Sequence, residues 1–153
     1  MEMTHGGYID DPSVSLDQYT AMKLTGNIKN GRPTFEPADD PADYVIGVLA
    51  QKFYGEDADV RDGHALERQM DGTITADDLV SVLSKQNPEL TFVLDSASAD
   101  VVSDDFLMVS GVDAGKMTKW TAGAGNRKIA KVLIGGTKGD NIICEPVDDV
   151  SPA

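Results

Sequence analysis

The sequence predicts a mainly β protein with a small α component (α+β): a compact β-barrel built from two related β repeats, one short helix and an extended N-terminal arm. Three features of the chain point there. The first is an internal echo: Gly31-Arg32-Pro33-Thr34-Phe35, Tyr44 to Leu49 and Gly55-Glu56-Asp57 return as Gly115 to Trp120, Ile129 to Leu133 and Gly139-Asp140. Aligned without gaps, Gly31, Thr34, Val48, Leu49 and Gly55 coincide with Gly115, Thr118, Val132, Leu133 and Gly139. Each copy reads as strand, glycine turn, short strand, polar loop, apolar strand and acidic turn, which is the grammar of a β unit. The second feature is short apolar runs bounded by Gly, Asn, Asp and Pro. The third is length: 153 residues make about one domain, or two small lobes sharing a core. A chain of that size buries roughly two-thirds of its unfolded surface.

Residues 1–13, with Gly6-Gly7, Asp10-Asp11 and Pro12, show neither period and read as the arm. The first repeat spans 14–61. Tyr19, Met22 and Leu24 are its opening strand residues, with turns at Gly26-Asn27 and Asn30-Gly31. Pro37-Ala38-Asp39-Asp40-Pro41 is a loop, because proline lacks the ladder donor. Tyr44 to Leu49 then supplies a well-marked apolar strand. Residues 62–100 connect the copies. Within them Thr75 precedes Ala76-Asp77-Asp78 and then Leu79, Val80, Val82 and Leu83, a capped and acid-started run that predicts the short helix. Asn87-Pro88 ends it, and Leu90 to Leu94 is a strand. The second repeat spans 101–147, opening at Phe106 to Val109 and closing with Ile142-Ile143-Cys144; residues 148–153 are an acidic, exposed tail.

Charge narrows the partners. The 26 acidic residues against 13 basic ones leave a formal charge of -13, which repels nucleic acid and anionic membranes at long range. The single cysteine excludes an internal disulfide framework, and no apolar run has the length of a membrane span or signal peptide. A soluble protein of a reducing compartment is expected.

Several constellations have residue types that could carry chemistry. Asp71-Gly72-Thr73-Ile74-Thr75-Ala76-Asp77-Asp78-Leu79 is similar to the second half of an EF-hand loop and its exit helix. Calcium needs six to eight oxygens, and here the first half carries Glu67 and Gln69, while Asp78 is short for the bidentate position. A calcium module with Glu67, Asp71, Thr73 and Asp78 as ligands is the alternative to a plain glycine turn. Glu56, Asp57, Asp59 and Asp62 read as a solvated loop. His5 before Gly6-Gly7 lacks the Gly-x-Ser-x-Gly elbow of an esterase, and His5 and His64 are the only histidines. Cys144 alternates with Ile142 and reads as a buried thiol. Gly123-Ala124-Gly125 and Gly135-Gly136 lack phosphate-loop spacing. Trp120 with Lys116, Lys119, Arg127, Lys128 and Lys131 is the one basic patch, suited to an acidic protein surface.

The second copy, with Val102 to Val109, Gly115 to Gly123, Ile129 to Leu133 and Lys138 to Ile143, resembles the capsid decoration, or cement, proteins of tailed phages. Shared elements are an acidic turn into a strand, a Gly-Lys hairpin with Ala and Thr, an apolar strand and a closing Gly-Asp turn. The family's isoleucine-glycine-valine step stands in the first copy as Ile46-Gly47-Val48; the second departs with Ala130-Lys131-Val132. The likeness covers about a third of the chain in the second copy and somewhat less in the first. It implies a β-tulip-like unit on the outside of a virion, made in the host cytoplasm, commonly trimeric, that clamps neighbouring major capsid subunits. It implies no enzyme activity, no catalytic residues, no metal and no cofactor. On this reading Met1, Met3 and Tyr8 anchor the arm, and Lys119 and Trp120 form a contact on the second hairpin.

Overall fold

The computed structural model describes residues 3–11, 16–52, 74 and 76–150. Among these, every regular element is a strand and none is a helix. Five strands, β1 (Thr4–Ile9), β2 (Ala21–Lys29), β3 (Arg32–Pro37), β4 (Gly47–Lys52) and β5 (Leu79–Ser84), close a barrel in the order β1-β3-β2-β4-β5. β1 completes it by running parallel to β3, Ile9 beside Phe35, and antiparallel to β5, from Thr4 beside Leu83 to Tyr8 beside Leu79. Ile9, Met22, Phe35, Leu49, Val80 and Val82 fill the interior. Asn30 and Gly31, both at positive φ, turn the β2–β3 hairpin, as the Asn-Gly pair predicts.

Two expectations are corrected here. The N-terminal arm expected over residues 1–13 is a barrel strand between Thr4 and Ile9. Its alternation is invisible in sequence because Gly6-Gly7 replaces the side chains that would display it. A Cβ on Gly7 would lie 2.3 Å from the Pro33 carbonyl oxygen and 2.6 Å from the Phe35 ring, so only glycine lets that ring pack on the backbone. The short helix expected from Thr75 is also not formed: Ala76-Asp77 is a turn, and Leu79–Ser84 is β5. Val80 and Val82 point into the barrel while Leu83 packs on the opposite side. A strand apolar on both faces loses its period of two and resembles a helical run.

The second unit repeats the first. β6 (Leu90–Val93), β7 (Phe106–Val109), β8 (Met117–Lys119), β9 (Arg127–Ile134) and β10 (Asn141–Val150) form a sheet in the order β6-β10-β9-β7-β8. Strand for strand, β8-β7-β9-β10-β6 matches β3-β2-β4-β5-β1. The closing contact recurs as well, because Leu94 bridges Met117 in parallel where Ile9 lies beside Phe35. Pairing registers then equate Ile9 with Leu94, Phe35 with Met117, Leu49 with Val132 and Val82 with Cys144, all buried. An irregular detail recurs in both. Tyr19 and Asp104 have positive φ, and each donates its amide to the equivalent carbonyl, Leu49 at 2.8 Å and Val132 at 2.9 Å. The repeats thus run from Thr4 to Ser84 and from Leu90 to Val150, wider than 14–61 and 101–147. What was expected to be an acidic tail from Asp148 is strand as far as Val150, with Asp149 beside Lys128.

The units share one core. Along β2 and β4, Met22 and Leu49 face into the barrel, whereas Ala21 and Val48 face out into a cluster with Leu94, Leu107, Met117 and Val132 of the second unit. Backbone bonds lock the junction: Ala21 donates to the Gly115 carbonyl, Gly115 to that of Ala38 (both 2.7 Å), and Arg127 to that of Pro41 at 3.0 Å.

Candidate partner-binding surface

Duplication shows what differs between the units. In the barrel the outward row Ala21–Val48–Leu83 crosses β2, β4 and β5 and is packed under the second unit. The registers equate it with Phe106–Lys131–Glu145 across β7, β9 and β10, where the row is half-buried to exposed. A packed apolar face in one repeat has become an aromatic and charged face in the other, as expected of a unit that ends a stack.

Around Phe106 this face is ordered. The Trp120 amide donates to the Phe106 carbonyl at 2.8 Å, and its indole N–H donates to the Asn126 carbonyl at 3.3 Å. The Lys128 ammonium stands 4.4 Å from the centroids of both rings, a cation held over two aromatic faces. Lys131 pairs with Asp104 at 3.4 Å and Lys119 with Asp105 at 3.6 Å, solvent-accessible contacts worth little individually. The strip continues onto the barrel, where Lys85 and Arg127 lie 3.7 and 5.6 Å from the Tyr44 ring. Tyr44 and Phe106 were missed by the sequence reading, because nothing local links residues so far apart.

An acidic corner lies on the barrel. The Lys23 ammonium is 2.9 Å from Asp43, 3.0 Å from Asp39 and 3.6 Å from Glu36. Partial burial opposes its charge, but the bonds to Asp43 and Asp39 outweigh that and raise its pKa. Asp43 is lowered although burial pushes it up, because Lys23 and the amides of Asp39 and Asp40 all donate to it. Asp10, whose amide donates to the Phe35 carbonyl beside Glu36, and Asp40 add exposed charge at the same corner.

Of the five contact residues expected from sequence, the four described ones, Met3, Tyr8, Lys119 and Trp120, are divided between the two units. Met1 lies outside the described residues. Met3 is half-exposed and clamped by Asn87, which accepts its amide at 2.9 Å and donates to its carbonyl at 2.8 Å. Tyr8 is half-buried on β1, with Lys29 at 5.2 Å from its ring. Lys119 and Trp120 belong to the other unit, on the aromatic face.

Of the calcium alternative, Glu67, Asp71 and Thr73 lie outside the described residues, as do His64 and the Glu56–Asp62 loop; Asp78 precedes β5. Among the described residues no group of His, Cys, Asp or Glu is arranged for a metal. His5 sits on β1 beside Val82, so Gly6-Gly7 is strand and not an oxyanion loop. Cys144 is fully buried, and burial pushes its thiol up to about 12, which keeps it unreactive. A cleft of about 380 Å³ between Asp17–Thr20 and Val112–Lys116 follows the junction of the units.

No protein-family model, no curated protein and no solved structure matches this chain.

Proposed function

We propose that this chain is a non-enzymatic structural protein that decorates the outside of a phage capsid and stabilises the shell by clamping neighbouring major capsid subunits. The observation that carries the reading is the duplicated β unit joined through one shared core. Two units joined through one core can bridge two subunits without the cost of ordering a flexible linker. The Gly-Lys hairpin is the β7–β8 turn, the Ile-Gly-Val step enters β4, and the Gly-Asp turn precedes β10. Many copies, assembled as trimers on the virion exterior, would turn modest affinity per site into large shell stability.

Co-sedimentation with capsid shells before and after expansion tests this. The protein is expected to pellet with expanded shells alone and to be indifferent to chelator. Absence from expanded shells, or retention that chelator abolishes, would sink the reading, the second outcome in favour of a calcium module.

A further inference from the structure

We infer that the Phe106–Trp120–Lys128–Lys131 face seats the acidic corner of a second copy of this chain. The equivalent row of the barrel, Ala21–Val48–Leu83, already carries a packed neighbour, the second unit. The same strand geometry therefore serves once as an interface inside the molecule. In the second unit the row keeps an aromatic centre, Phe106 and Trp120 under Lys128, rather than becoming wholly polar.

Charge selects the occupant. On a chain of formal charge -13, the four cations Lys119, Arg127, Lys128 and Lys131 outnumber Asp104, Asp105 and Glu145 on this face, two of which pair with Lys131 and Lys119, and leave it locally positive. The chain's own Asp10, Glu36, Asp39, Asp40 and Asp43 outnumber Lys23, with which three of them pair, and leave the opposite sign around one end of the barrel. The loop bearing Asp39, Asp40 and Asp43 meets the start of β9, where Arg127 donates from its backbone to Pro41 and from its side chain to Ala42 at 3.4 Å. The basic strip runs on from that junction through Lys128 to Lys131. Away from the two patches the copies repel, so this pairing also sets their orientation. The inference deepens the oligomeric part of the proposed function and is tested without any shell.

Trp120 is the only tryptophan, so its emission reports this face alone. Light scattering and Trp120 emission are recorded on the full chain across a wide dilution series. Two charge-reversed proteins are compared, one with Lys128→Glu and Lys131→Glu, the other with Asp10→Lys and Asp39→Lys; circular dichroism checks that each is folded. The wild type is expected to associate with a blue shift of Trp120. Each variant should associate at least about tenfold more weakly. An equimolar mixture should recover assembly, because each reversed patch then meets its complement. A wild type that stays monomeric, association with unmoved Trp120 emission, variants that associate like wild type, or a mixture that stays apart would each overturn the inference. If a variant fails to fold, the wild-type emission still decides. A protein that self-associates in this way yet ignores expanded shells would retain the inference and lose the capsid reading.

Discussion

Lys23 shows how one residue organises a corner of the barrel. It stands on β2 beside Glu36 of β3 and reaches Asp39 and Asp43 on the following loop. Asp43 is the better-held partner, since the amides of Asp39 and Asp40 donate to the same carboxylate oxygen at 3.0 Å each. Asp43→Asn should cost about 1–2 kcal/mol, from charged hydrogen bonds made weaker, read as a lower urea midpoint at unchanged slope. Because the folded state holds Asp43 below its ordinary value of about 4, its contribution is complete above that pH and is lost as pH falls through the folded value. Wild-type melting temperature should therefore drop on acidification below about pH 4, and Asp43→Asn should drop less. Cys144 makes a second prediction. With its thiol buried and its pKa near 12, it should ignore an alkylating reagent at pH 8 in the native protein and react once denaturant unfolds the chain.

At the scale of elements, the repeat was legible but its register was not. Aligned without gaps, the copies place Leu49 against Leu133; the strand pairings place Leu49 against Val132. One residue of slip exchanges the faces of a strand: Leu49 and Val132 are fully buried, whereas Leu133 is 38% exposed. Leu49→Ala should accordingly cost about 2–5 kcal/mol, and Leu133→Ala less than about 1 kcal/mol, by the same unfolding measurement. Equal costs would refute the registers. β3, β4 and β9 could be read from apolar runs bounded by turns. β1 and β5 could not, the first because two glycines erase its pattern and the second because both of its faces are buried.

For the whole molecule, the junction decides cooperativity. Since Ala21, Ala38, Val45 and Val48 belong to the same core as the second unit, neither unit buries its apolar surface alone. Trp120 emission, which reports the second unit, and far-ultraviolet dichroism, which reports both, should give one coincident unfolding transition. Gly115 is the place to test the coupling. It exchanges backbone bonds with Ala21 and Ala38 at positive φ, and a Cβ there would come within 2.4 Å of the Thr20 methyl group. Gly115→Val should destabilise the protein by more than about 2 kcal/mol and, if the junction opens before the units do, split that single transition in two.

The sequence by itself determined the β class, the duplication, the turn at Asn30-Gly31 and the sign of the charge, because each is written in neighbouring residues or in composition. It also marked Trp120 and the lysines around it as a patch. Only the tertiary structure decided that residues 4–9 close a barrel, that Leu79–Ser84 is a strand and that the two units share a core. It alone set Phe106 beneath Lys128 and gathered Glu36, Asp39 and Asp43 around Lys23. The physical reason is range. Turn chemistry and periodicity act over a few residues, whereas barrel closure, strand register and charge clustering depend on pairings between distant segments, and those are settled by which surfaces become buried together.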